Sequence, residues 1–202
     1  MKLLLIRHAE PDTTLGPRPD PPLSAAGREQ GEALAAWLAG EELAAVYTSP
    51  LLRARETAAF LSPAAVAIEG LTEVGGAGEY VAAEVMRANG DPRYAALISG
   101  DLAVYGADAD AFRATVTAAI DGIVDRHPGE TVAVVSHAGV INGYLGAHLG
   151  IGSRLIWSAI DYTGVTRVLA SRDGTRTIWA LNERPHHCGQ PAKEISLWPA
   201  GS

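Results

Sequence analysis

The chain has 202 residues, 48% of them apolar and 19% charged. That is ordinary globular composition, with enough length to bury a core without disulfide or metal staples. Its net charge of −7 excludes a general surface for nucleic acid or anionic membranes, although a pocket for a small anion answers only to its local charges.

A single cysteine, Cys188, leaves no intrachain disulfide. The opening apolar run is too short for a signal-peptide core or a membrane span, so a cytoplasmic protein is expected. One domain over residues 1–202 is expected, with a cap inserted at about 80–107.

Lys2-Leu3-Leu4-Leu5-Ile6 reads as a buried strand, because the run is short and Pro11 follows closely. It ends in Arg7-His8-Ala9-Glu10, at the edge where open α/β sheets bind ligands. Arg7 offers a planar fork suited to phosphate, and His8 is a candidate nucleophile or proton carrier. Glu10 to Pro22 is proline-rich and must be a loop, a candidate wall of the site.

Ser24 is placed to cap a helix that carries Leu34, Trp37 and Leu38 at helical spacing and stops near Gly40. Gly27 and Gly31 on it suggest close packing against a neighbour. Ala44 to Thr48 reads as a second strand, and Ser49-Pro50 opens a helix to Leu61. Arg53 and Arg55 stand early in that helix, where cations are disfavoured. A bound anion would remove the conflict, and so would pairing with an acid such as Glu56.

Val66-Ala67-Ile68 is a weak third strand, followed by a glycine-containing turn with two candidate general acids, Glu73 and Glu79. Tyr80 to Gly106 reads as a small helical or irregular cap whose basic residues are Arg87 and Arg93. Asp108 or Asp110 caps a long helix with Phe112, Val116, Ala119, Ile120 and Ile123 on one face, ended by Pro128-Gly129. Thr131 to Val135 is the clearest buried strand. It leads into Ser136-His137-Ala138-Gly139 and a helix whose free N-terminal donors favour an anion. The grammar of the opening is thereby repeated: a hydrophobic strand, then a histidine.

Arg154 to Asn182 reads as two or three strands with a hairpin at Ser171 to Gly174, and Glu183 to Ser202 as a polar tail. His186-His187-Cys188 has no second ligand cluster, so a solvated tail is expected there rather than a metal site. Ile195, Leu197 and Trp198 of the tail are expected to dock on this chain or on a partner.

Five of these segments resemble, in order, the histidine phosphatase superfamily, the phosphoglycerate mutase-like fold. They are Arg7-His8-Ala9-Glu10, Leu23-Ser24-Ala25-Ala26-Gly27 with Gln30, Ser49 to Ala58 around Arg53, Leu71-Thr72-Glu73, and Ser136 to Ile141. The resemblance implies an α/β fold, a three-layer α/β/α sandwich around a mainly parallel sheet. It implies His8 as the nucleophile, and Arg7, Arg53, His137 and Ala138 around the phosphoryl oxygens. It implies Glu73 as the group that protonates the leaving oxygen and then helps deprotonate water.

No metal and no cofactor are implied, and the expected partner is a small phosphorylated substrate. Thr14 stands where the mutase branch often has an asparagine, and no role is assigned to it. The short cap with few cations favours a hydrolase over a mutase. Two rivals remain. A dinucleotide-binding oxidoreductase needs a glycine-rich turn where Arg7 to Glu10 stands. A phospholigand module without turnover would keep the fold and lose the chemistry. Oligomeric state stays open.

Overall fold

In the computed structural model, residues 1–14, 18–76, 78–152 and 154–187 are described. Six strands form one sheet in the order β3-β2-β4-β1-β5-β6. They are β1 (Lys2–Arg7), β2 (Leu43–Thr48), β3 (Val66–Ala67), β4 (Thr131–Ser136), β5 (Val165–Ala170) and β6 (Arg176–Glu183). Strands β1 to β4 pair in parallel, and β5 runs antiparallel to both β1 and β6.

The alternation of side chains along a strand explains the two apolar layers. Leu3 and Leu5 of β1, with Val132 and Val134 of β4, join one cluster with Val116 and Ile120. Those last two belong to α5 (Ala109–Arg126), and Val140 and Tyr144 of α6 (Ala138–Leu149) complete that side. Leu4 and Ile6, with Ala133 and Val135, face the opposite cluster. There α1 (Ala25–Leu38) supplies Leu34 and Leu38, and α2 (Leu52–Leu61) supplies Ala54 and Ala58. This is the three-layer α/β/α arrangement, and the inner residues of β1 (3–6) and β4 (132–135) are apolar without alternation because helices cover both of their faces.

Local chemistry sets the helix ends. Ser24 caps α1 by accepting from Gly27 N at 2.9 Å, and Asp108 caps α5 by accepting from Ala111 N at 2.8 Å. Helix α1 stops at Ala39 in right-handed geometry, so Gly40 follows the end without making it. Gly31 is required by packing, since a Cβ there would lie 2.4 Å from the Phe60 ring.

Residues 80–107 hold α3 (Ala83–Ala88), α4 (Pro92–Ser99) and a 3-10 turn (Leu102–Tyr105). Tyr105 ties them together, its hydroxyl donating to the Arg93 carbonyl at 3.3 Å and lying 3.8 Å from the Met86 sulfur.

Two expectations change. Of the two or three strands expected from Arg154 to Asn182, two are present, β5 and β6, paired antiparallel across the expected turn at Ser171 to Gly174, while Arg154 to Gly164 is irregular. Here a polar side chain overrides the strand-like composition. Asn142 of α6 is buried and donates to the Ala138 and Ser158 carbonyls, while its Oδ1 accepts from Trp157 N and Ser158 N. With both its donors and both its acceptor directions used, this amide holds 157–158 as loop.

The second correction concerns His186 and His187, which are not a solvated tail. They end a 3-10 turn (Pro185–His187), His187 is buried, and His186 stacks on Trp37 with ring centroids 5.0 Å apart. Both Nε2 atoms meet Thr163 Oγ1, at 2.7 and 3.0 Å. Imidazole carries an apolar face and a polar edge, and both are used here. Cys188, Ile195, Leu197 and Trp198 lie outside the described residues.

Candidate active site

Register explains why the two histidines meet. Arg7 is the partner of Ser136 across the β1–β4 pair, and Thr48 is the partner of Val135 across β2–β4. The residues that follow, His8, Ser49 and His137, therefore emerge together at one sheet edge. The His8 and His137 ring centroids are 5.1 Å apart, and both side chains are buried.

The sequence assigns nucleophile chemistry to His8, and its hydrogen bond fixes which nitrogen would act. Nδ1 lies 2.8 Å from the Ala9 carbonyl, which only accepts, so Nδ1 carries the proton and Nε2 keeps the lone pair. Burial holds the imidazole well below its ordinary pKa, reinforced by Arg53, His137 and Arg7. His137 is likewise lowered, by burial and then by Arg53 and Arg7. Its Nε2 meets Ser49 Oγ at 2.8 Å, and it sits at the N-cap position of α6, next to Ala138.

The two arginines are held from behind. Arg7 Nη1 donates to the Ile160 carbonyl at 2.7 Å, and its guanidinium lies 4.0 Å from the Tyr162 ring centroid. Arg53 lies 4.7 Å from the Tyr80 ring and donates to Asp20 Oδ1 at 3.3 Å. The two tyrosine hydroxyls are 3.0 Å apart, so a Tyr80–Tyr162 pair bridges both guanidinium groups. Asp20 also accepts from Leu52 N at 2.7 Å. The electrostatic conflict at the start of α2 is thus met by a carboxylate from the proline-rich loop. Arg55 is exposed and takes no part.

Of the two candidate acids, Glu73 stands inside. Oε2 accepts from Gly139 N at 3.0 Å and Oε1 from Val74 N at 2.9 Å. Burial raises its pKa against the lowering effect of those two donors and of Arg53 and Arg7. Glu79 is exposed on the outer wall of the same cavity. Thr14 turns away and donates to its neighbour Asp12 at 2.6 Å.

Arg7, His8, Arg53, Glu73, His137 and Ala138 all line one cavity of about 340 Å³, which suits a small ligand. Among the described residues, no three or more His, Cys, Asp or Glu side chains form a metal-binding group.

Sequence reasoning missed Asp20, Ser49, Tyr80, Tyr162 and Asn142. Asp20, among prolines, carried no signal of its own. Tyr162 precedes Thr163, which holds a left-handed φ of 52°. That conformation is unusual for a β-branched residue and costs on the order of 1–3 kcal/mol. Thr163 N donates to the Arg7 carbonyl at 3.0 Å, which locks the turn beside the site.

The family model of the histidine phosphatase superfamily (branch 1) matches residues 3–183, so the chain belongs to that superfamily and is a phosphatase of it. No curated protein sequence matches the chain.

Solved structures share the fold. YhfR from Bacillus stearothermophilus is 26% identical, with a TM-score of 0.76 over 92% of this chain and 98% of that one. A phosphoserine phosphatase mutant from Entamoeba histolytica, in complex with phosphoserine, is 24% identical, with a TM-score of 0.75 over 92% and 98%. A mycobacterial glucosyl-3-phosphoglycerate phosphatase is 20% identical, with a TM-score of 0.75 over 91% and 99%. Among the described residues, no helix is long and apolar enough to cross a membrane.

Proposed function

We propose that the chain is a phosphomonoester hydrolase that works through a phosphohistidine on His8. The observation that carries this reading is the fixed tautomer of His8, with Nδ1 committed to the Ala9 carbonyl at 2.8 Å, inside a cavity shared with Arg7, Arg53 and His137. In the first step His8 Nε2 attacks phosphorus and the P–O ester bond breaks. The leaving oxygen takes the Glu73 proton, and the alcohol departs. In the second step the Glu73 carboxylate takes a proton from water, the oxygen attacks phosphorus, and the P–N bond breaks to release inorganic phosphate.

The site supplies what a loose phosphoryl-transfer transition state requires. Charge spreads over three equatorial oxygens, and two guanidinium groups with the N-terminus of α6 can receive it. This supply of positive charge calls for no metal. The expected substrate is a small phosphorylated metabolite, whose phosphoryl group the Arg7, Arg53 and His137 end of the cavity would receive. Hydrolysis is favoured over mutase-type transfer because Arg93 of the cap is already engaged by Asp91, at 2.6 Å.

The test is phosphate release from p-nitrophenyl phosphate in the presence of a strong chelator. Turnover that persists, and that falls by about a hundredfold or more in Arg53→Ala, is expected. Turnover that requires an added divalent metal, or that ignores Arg53→Ala, would overturn the proposal.

A further inference from the structure

Beyond the phosphate end, the cavity changes character. Its outer wall is made by Val74, Met86, Tyr94, Leu97, Ile98 and Ile156. Val74, Leu97 and Ile156 belong to an apolar cluster with Leu102 and Leu155, so this wall is backed by packed side chains.

The charges in that half are few, and its cation is already paired. Arg93 is the cation of the outer lining, and Asp91 holds it at both oxygens, with Nε at 3.0 Å from each and Nη2 at 2.6 Å from Oδ2. A bidentate pair of this kind leaves little of the guanidinium fork for a ligand. Glu79 adds a carboxylate to the same lining. Arg93 and Glu79 of the lining, with Asp91 paired to Arg93 from outside it, sum to a net negative charge. A carboxylate or second phosphate entering there would be desolvated against apolar walls without an opposite charge to receive it. An uncharged ring or alkyl group would displace water from those walls at a gain.

We propose that the site selects monoesters whose leaving group is uncharged and apolar, an aryl or alkyl phosphate, and discriminates against leaving groups that bear a carboxylate. The proposal rests on the hydrolase reading above, and it assigns substrate selection to the wall made by α3, α4 and residue 156 together with the Asp91–Arg93 pair.

The test compares phenyl, 1-naphthyl and 3-carboxyphenyl phosphate, whose phenols are of similar acidity, on the native protein and on Asp91→Asn. Asparagine keeps the α4 cap, which Asp91 now makes by accepting from Arg93 N at 2.9 Å, and removes the charge that engages the guanidinium. The expected result is kcat/KM for the carboxylate ester about tenfold or more below phenyl phosphate, naphthyl phosphate at least equal to phenyl, and a gap that narrows in Asp91→Asn. A carboxylate ester turned over as well as phenyl phosphate, or a gap unmoved by Asp91→Asn, would overturn the selection proposal while leaving the hydrolase reading standing. Failure to hydrolyse any of the three would overturn the hydrolase reading itself.

Discussion

Gly139 N lies 3.0 Å from Glu73 Oε2, and a Cβ on Gly139 would stand 2.1 Å from Glu73 Oε1. The second residue of α6 is therefore a glycine because the Glu73 carboxyl group fills the space of a Cβ. The carboxyl group occupies the space a side chain would fill and is held there by the helix's own free donor. Gly139→Ala must push Glu73 aside. We expect kcat for alkyl phosphates to fall about a hundredfold, the order expected when a reacting group is misplaced by an ångström. The loss for p-nitrophenyl phosphate should be much smaller, because that leaving group needs no proton. Equal losses on both substrates would show a merely structural effect.

In the proposed mechanism Glu73 sets the alkaline side of the pH profile. His8 must be neutral to attack, and its pKa lies well below the usual 6.5. Glu73 must be protonated when the ester breaks, and its pKa lies above the usual 4.5. Activity should rise as pH climbs through the lowered imidazole pKa and decline once pH passes the raised carboxyl pKa, giving an acidic to neutral optimum. Glu73→Gln should abolish the alkaline limb and cost about 10²–10⁴-fold on alkyl esters. A rate that still climbs above about pH 9 would count against Glu73.

Stability should fall in mild acid. His8 and His137 are held neutral by burial, and His186 is pushed down to about 4, chiefly by burial and then by His187 and Arg184. For each, the folded pKa is below the unfolded one, so the unfolded chain takes up protons first. Their contribution is complete above about 6.5, the unfolded imidazole value, and is lost as pH falls below it. Glu73 acts in the opposite sense, its contribution being lost as pH rises through its raised value. Urea titrations at pH 7.5 and 5 should show a lower midpoint at pH 5, and His186→Asn should shrink the difference. An unchanged midpoint would contradict the burial argument.

Asp20 has two tasks that substitution can separate. It accepts from Leu52 N at 2.7 Å at the start of α2 and pairs with Arg53 at 3.3 Å. Asp20→Ala loses both, and we expect a cost of about 0.5–2 kcal/mol from the lost helix-end acceptor. Asp20→Asn keeps an acceptor for Leu52 and should recover most of that loss. Chemical denaturation of the two variants reads the difference, and equal losses would place the effect in the ion pair.

The residues that meet at the candidate site were legible because each follows a signal that physics makes local. His8 and His137 terminate apolar runs, and Arg53 sits where a cation is out of place. What joins them was not legible. Asp20 reaches α2 from 32 residues away, and Tyr80 meets Tyr162 across 82. Contacts of that span leave no period or cap to read.

Composition misled in two places. The Thr-, Val- and Trp-rich segment after Arg154 resembled strand until Asn142 pinned it as loop. The polar stretch at His186 and His187 resembled tail because an imidazole edge satisfied by one threonine hydroxyl cannot be inferred from composition.

The most direct test of the account is to trap the phosphoryl group. The native protein and His8→Ala are each mixed with a radiolabelled aryl phosphate, quenched, and mapped by mass. The account predicts an acid-labile adduct on the peptide that contains His8, and the loss of both adduct and turnover in His8→Ala. Hydrolysis by His8→Ala at the native rate would contradict it, and would make Arg7 and His8 a binding element only.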